Sequence, residues 1–169
     1  MRVNKILWTL LLIGFGLSSS AMDTAKVVKV WDGDTFTLLQ NGQLIVARLV
    51  NVDAPEMKQL WGEDSKRRVS SVILGRDIQY ENQGPDRYKR TLAKIWVNGE
   101  RLDSLVIRNG WAWHYTNYSD DTELTGFQAE AICEKRGLWV NGVNGVCPPW
   151  LFRQYNQRNR LKYCSGCCK

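Results

Sequence analysis

The dipeptide Asn41-Gly42 stands between two apolar runs, Thr35–Leu39 and Gln43–Val52. Asn and Gly most readily take the positive φ angles of a two-residue turn, so this stretch predicts a β-hairpin. A strand over Thr24–Trp31, with Val27, Val28 and Val30, enters it through the turn residues Asp32-Gly33-Asp34. The front of the chain is therefore a three-strand meander. Gly62–Leu74 suits a helix, because Val69, Val72 and Ile73 share one face and Gly75 stops it. Asp77–Glu81 reads as a fourth strand, Asn82–Asp86 as a loop, and Thr91–Val97 as a fifth strand closed by Asn98-Gly99. Leu102, Leu105 and Val106 mark a short helix ending at Asn109-Gly110. Trp111–Tyr115 is an extended aromatic piece, and Asp120–Arg136 is a longer helix ended by Gly137. Five short strands with a helix after the third predict an α+β architecture. It is an OB-type five-stranded β-barrel with about three flanking helices.

The chain has 169 residues, enough for one domain with modest extensions. With 44% hydrophobic and 24% charged residues, it fits neither wholesale disorder nor a polytopic membrane protein. Residues 1–21 carry Arg2 and Lys5, then an apolar run from Ile6 to Leu17, then Ser18-Ser19-Ser20-Ala21. This is the pattern of a secretory signal peptide cleaved after Ala21. The apolar run is shorter than the roughly 20 residues a membrane span needs, so an uncleaved anchor is the lesser reading. The mature chain is expected to start near Met22 and to work outside the cytoplasm, periplasmic or secreted. From Val140 the texture turns to Asn, Gly and Pro, with one more helix expected over Trp150–Leu161. The organisation is thus 1–21 signal, 22–139 domain and 140–169 extension.

All five cysteines lie late: Cys133, Cys147, Cys164, Cys167 and Cys168. Export favours disulfides. Cys133–Cys147 is the favoured pair, leaving the tail cysteines to pair together or between chains; a monomer is expected, with a disulfide-linked dimer as the alternative. Zinc at Cys164-x-x-Cys167-Cys168 lacks a fourth ligand at finger spacing. The net charge is +6, which suggests a polyanionic partner. Its distribution is uneven. Residues 140–169 hold five basic side chains and no acid, whereas residues 22–139 hold sixteen basic and seventeen acidic ones. The basicity belongs to the extension, which is expected to anchor polyanions; the domain itself must rely on placed charges.

His114 is the only histidine, which excludes a His-rich metal site and leaves acid–base work to other groups. It is expected to pack or hydrogen-bond within its aromatic strand. Two segments stand out for chemistry. One is Asp32-Gly33-Asp34-Thr35 followed by Arg48-Leu49 and Val52-Asp53-Ala54-Pro55-Glu56; the other is Asp86-Arg87-Tyr88-Lys89-Arg90. Taken singly, these are an ordinary turn, a surface arginine, a helix entry and a solvated charge run. Taken together, three carboxylates and two arginines fall at strand ends and turns, where they can converge on one barrel rim. Phosphodiester hydrolysis needs such a set. Asp34 and Asp53 suit a hard cation with oxygen ligands. Glu56, behind the φ-restricted Pro55, can activate water. Arg48 and Arg90 offer bidentate donors to transition-state charge.

The two segments resemble the signatures of the staphylococcal nuclease (thermonuclease) family. The similarity extends from about Val27 to Trp139 and includes Gly110-Trp111-Ala112-Trp113-His114-Tyr115 and Glu134-Lys135-Arg136-Gly137-Leu138-Trp139. The resemblance implies an OB-fold, Ca2+-dependent phosphodiesterase of DNA and RNA that leaves 3′-phosphate ends. It implies Asp34 and Asp53 as calcium carboxylates, Ala54 as a carbonyl ligand, and Glu56 as general base. Arg48 and Arg90 match the phosphate-binding arginines. Tyr88 matches an aromatic beside the nucleotide, and Tyr115 is a looser candidate for the same wall. Phe36 replaces the usual aliphatic residue. Lys89 replaces the usual glycine or glutamine and adds charge beside Arg90, where it could touch substrate. Single-stranded or breathing nucleic acid is the expected preference, since OB barrels bind strands through aromatic walls and backbone contacts. A non-catalytic OB module that binds nucleic acid is the alternative reading.

Overall fold

The computed structural model describes residues 22–143 and 146–155. The expected signal peptide, positions 156–161 of the expected last helix, and the cysteines at 164, 167 and 168 lie outside the described residues. Strands β1 (Asp23–Val30), β2 (Thr35–Gln40) and β3 (Gln43–Leu49) form the meander. Asn41 and Gly42 turn the hairpin, both at positive φ, 49° and 79°. Short β4 (Val52–Asp53) precedes helix α1 (Gly62–Ile73). Then come β5 (Asp77–Pro85), β6 (Thr91–Val97), β7 (Glu100–Arg101) and helix α2 (Leu102–Arg108). Strand β8 (Trp113–His114), helix α3 (Thr122–Cys133), a 3-10 turn at Gly137–Asn141 and helix α4 (Pro149–Gln154) complete the chain.

The sheet runs β3-β2-β1-β5-β6-β7, and β3 also pairs with β6. That last pairing is parallel, Ala47 to Thr91 through Leu49 to Ala93, and it closes five strands into a mixed barrel with β7 as an added strand. The interior is apolar: Val27, Phe36, Leu38, Ala47, Leu49, Ala93 and Ile95 are fully buried and pack with Val69 and Ile73 of α1 and Val106 of α2. Phe36 is fully buried in that core, so its bulk is accommodated by packing. Among the described residues no helix is long and apolar enough to cross a membrane.

The expected OB barrel is the observed fold, with three local differences. The third strand stops at Leu49 rather than Val52, because Asn51 turns left-handed at φ 66° and donates from its side chain to Asp103 of α2 (2.9 Å). The expected loop Asn82–Asp86 is largely strand. Its turn-like residues instead make a bulge, with Gly84 at φ 95° and the pairing shifted between Asn82 and Pro85. Cys133 is a free, exposed thiol at the end of α3, so the Cys133–Cys147 pairing does not form. Cys147 is buried against Phe152 and is disulfide-bonded.

Helix α3 begins on a capped end. The Asp121 carboxylate accepts from the backbone N–H groups of Glu123 (3.0 Å) and Leu124 (3.2 Å) and from Arg101 (2.8 Å). Arg101, against the opposing effect of burial, holds the Asp121 carboxyl below the usual carboxylate range. A carboxyl depressed in the folded state stabilises above its unfolded pKa, and that stability is lost as pH falls through the folded value. Asp121→Ala should therefore cost about 1–2 kcal/mol at neutral pH. In urea titrations, the gap to the wild type should narrow below the ordinary aspartate range.

Candidate active site

The rim is built from turns inward. Asp32 accepts from the backbone N–H of Asp34 (3.0 Å) and Thr35 (2.7 Å), an Asx turn that fixes the entry to β2. Asp34 is thereby buried, and its Oδ2 accepts from the Ala54 backbone N–H (2.7 Å), which ties the first signature to the second. Asp53 lies on β4, held opposite Trp113 by the β4–β8 ladder, and is 1% exposed. Arg48 faces Thr35 across the β2–β3 ladder. Its Nη2 lies 3.1 Å from Asp34 and 3.3 Å from Asp53, and its Nη1 donates to the Leu49 carbonyl at 2.6 Å.

Arg90 approaches from the start of β6. Its Nε donates to Asp86 (2.7 Å) and its Nη1 to Thr35 Oγ1 (3.3 Å), so both arginines meet around Thr35. Burial opposes ionisation of Asp86, but the backbone N–H and guanidinium of Arg90 outweigh it and hold the carboxyl low. Glu56 is half-buried on the loop before α1, where Gln59 accepts from its backbone N–H (3.1 Å).

These groups line one cleft of about 590 Å³ together with Arg87, Tyr88, Tyr115, Tyr118 and Arg153. Tyr88 is exposed, with Arg87 and Arg90 over its ring at 4.7 and 5.5 Å. Tyr115 also lines the cleft, with Tyr118 tilted against it at 4.8 Å. Lys89 is different. It turns the loop at φ 65°, is exposed, and does not line the cleft. Its left-handed conformation gives a physical reason for a glycine at that place. His114 is a packing residue: it is 1% exposed and bonded to Ser119 (2.9 Å) and Thr125 (3.2 Å). Burial holds its pKa down, with Asp121 and Asp103 opposing.

Arg153, on α4, belongs to the cleft although it lies outside the two motif segments. It donates to both oxygens of Asp53, at 3.0 and 2.8 Å, and to Glu56 at 2.7 Å. The signals were a basic residue three positions after Trp150 on a helix opened by Pro148-Pro149, but nothing local aims it 100 residues back.

The donor set suits a hard cation. Asp34 and Asp53 are buried oxygen donors. Burial, reinforced by the charge of Asp34 and opposed by Arg153 and Arg48, raises the Asp53 pKa. Burial and the neighbouring Asp34 charge likewise raise Asp32, to about 7. Strained ionisation of clustered carboxylates is what a divalent cation relieves. Among the described residues no three Asp, Glu, His or Cys side chains form a ready-made cage. The ion would therefore rely on two carboxylates, backbone oxygen and water, a set calcium accepts.

The model of the staphylococcal nuclease homologue family matches residues 46–141. This chain belongs to the staphylococcal nuclease family. An "Uncharacterized endonuclease" of Haemophilus influenzae is 35% identical over 160 residues, covering 92% of this chain and 89% of the relative. A protein of the same description from Escherichia coli O157:H7 is 36% identical over 129 residues, 76% of this chain and 83% of its own. The "Micrococcal nuclease" of Shigella flexneri is 29% identical over 140 residues, 76% and 79% of the two chains. The chain is accordingly a nuclease, a phosphodiester hydrolase acting on nucleic acid.

The loop carrying Glu56 leans on a glycine. A Cβ at Gly62 would meet the backbone carbonyl of Glu56 and the Met57 backbone, neither of which is a flexible side-chain end. Gly62→Ala should displace that loop, lower the melting temperature and reduce turnover at least tenfold, measured on the same preparation.

Proposed function

We propose that this nuclease uses calcium to hydrolyse DNA and RNA, with Glu56 as general base and Arg48 and Arg90 as phosphate-holding cations, and leaves 3′-phosphate ends. What supports this most is the meeting of two buried aspartates, a half-exposed glutamate and two arginines on one cleft rim. Asp34, Asp53 and the Ala54 carbonyl would hold the ion. When bound there, calcium supplies charge neutralisation at a nonbridging phosphate oxygen.

Glu56 takes a proton from a water aligned with the P–O5′ bond. Arg48 and Arg90 donate N–H groups to the equatorial oxygens as negative charge builds, and their planar forks match that geometry. The resulting hydroxide oxygen bonds to phosphorus as the P–O5′ bond breaks, and the leaving oxygen takes a proton from solvent water to end as a 5′ hydroxyl. Tyr88, exposed at the cleft, offers a ring face to unstacked bases, and Tyr115 adds aromatic surface to the same cleft, which favours single-stranded or breathing substrate. Lys89, outside the cleft, is at most a contact to flanking phosphates.

We read residues 22–139 as the nuclease domain, 140–169 as an appended segment, and 1–21 as an export signal, which makes the protein periplasmic or secreted and monomeric in use. Mass analysis of the exported protein should place its first residue at Met22; an intact Met1 in that fraction would refute cleavage.

Glu56→Gln should lower kcat about 10²- to 10⁴-fold while the fold survives. Activity should vanish in chelator, return with calcium, and run faster on single-stranded than on matched duplex oligonucleotides. Near-normal turnover of Glu56→Gln would remove the general-base role, and full activity in chelator would remove the metal.

A further inference from the structure

We propose that Arg153 is a positioning residue for phosphodiester hydrolysis, a guanidinium from the C-terminal extension that clamps Asp53 and Glu56 in one geometry. The proposal rests on the roles given above to those two carboxylates. Its residue lies beyond the family-matched segment 46–141.

The contact is specific in form. Nη1 donates to Asp53 Oδ1 (3.0 Å) and Glu56 Oε1 (2.7 Å), and Nη2 donates to Asp53 Oδ2 (2.8 Å). A planar fork can bridge two carboxylates in this way; an ammonium, a point charge, holds them less firmly. The carboxylates need such a link. Asp53 is anchored in the β4–β8 ladder, whereas Glu56 stands on a loop with its side chain 38% exposed. One carboxylate is rigid, and the guanidinium fastens the other to it. Capacity remains for chemistry: of the about four lone-pair sites of a carboxylate, Arg48 and Arg153 together take both on Asp53 Oδ1 and one on Oδ2, and Arg153 takes a single one on Glu56.

Helix α4 is itself held in place, independently of that contact. Trp150, on the same face as Arg153 by their i, i+3 spacing, stacks on Tyr115 with centroids 5.6 Å apart and planes 13° from parallel, and meets Trp113 edge-on at 5.4 Å. Gln59 reaches from the Glu56 loop to the Cys147 carbonyl just before α4. Thus the aromatic wall and the Glu56 loop both bind the segment that carries Arg153. A surface arginine meeting carboxylates by chance has no such support.

The test compares the full mature chain with Arg153→Ala, Arg153→Lys, Glu56→Gln and the Glu56→Gln/Arg153→Ala double variant. Each is checked for cooperative unfolding. Arg153→Ala should lower kcat about 10- to 100-fold, the usual loss when a partner orienting an active-site ligand is removed. KM and oligonucleotide affinity in chelator, measured by fluorescence anisotropy, should stay within about threefold. Arg153→Lys should recover part of kcat. In the Glu56→Gln background, Arg153→Ala should cost less than about threefold, because residues acting as a unit are not additive. A kcat at or above wild type would overturn the proposal and make the guanidinium a competitor of the metal. A fall in chelator affinity with kcat preserved would make it a phosphate contact. Multiplicative losses in the double variant would make it merely structural. If Glu56→Gln itself is near wild type, the general-base reading fails first, a pattern distinct from all three.

Discussion

The parallel seam between β3 and β6 closes the barrel, and the same seam carries Arg48 into the site. The Arg48 side chain is only 12% exposed, and its guanidinium meets two aspartates that are more buried still. Taking these charges out of water costs several kcal/mol each, which mutual attraction offsets only with good geometry and further hydrogen bonds. The geometry is provided by backbone. Arg48 also donates to the Leu49 carbonyl, the Leu49 N–H donates to the Asp34 carbonyl (2.8 Å), and the Ala54 N–H donates to the Asp34 carboxylate. Strand closure and charge placement are thus one constraint: slide the seam by a residue and Arg48 changes face.

That constraint is transmitted outward by polar links. The left-handed Asn51 separates β3 from β4 and is fastened to Asp103, which is bound by Arg101, which also reaches Asp121 at the start of α3. His114 sits across from Val52 in the β4–β8 ladder and joins that ladder to α3 through Thr125 and, at its backbone N–H, Gln128 (2.8 Å). Asp53 is therefore held from both sides, by the barrel through Arg48 and by the helical layer through β8. A buried carboxylate with raised pKa can be kept in place only by such cross-bracing, because its own burial is unfavourable when ionised.

Which parts were legible follows from range. Asn41-Gly42 and the strand periodicities act over a few residues, so the hairpin and Thr91–Val97 could be read directly. Asn82-Gln83-Gly84-Pro85 has turn chemistry, yet pairing with β6 absorbs it as a bulge, a tertiary override invisible in the segment itself. Asn51 lies inside an apolar run, and its left-handed turn depends on Asp103, 52 positions away. The carboxylates and arginines of the rim were readable because they sit beside turns within the family signatures. Arg153 was not, since its partners lie 97 and 100 positions earlier. The disulfide partner of Cys147 was likewise open, because five cysteines allow many pairings and local sequence favours none.

Charge illustrates the same point at the scale of the whole molecule. The extension's five basic residues first suggest a generic polyanion anchor. Arg153, the one of them on α4, is spent on the protein's own carboxylates. Net charge therefore counts it as available to nucleic acid when it is engaged within the cleft. Conversely, residues 22–139 carry a slight acidic excess, which by itself would repel a polyanion. The excess matters little at the rim, because screening confines exposed charges to about 8 Å at physiological salt. The cleft also holds Arg48, Arg87 and Arg90, of which Arg48 is paired with Asp34 and Asp53 and Arg90 with Asp86. Recognition of a polyanion by this barrel is a property of the few guanidiniums its closure places, and the sign of the sum is incidental.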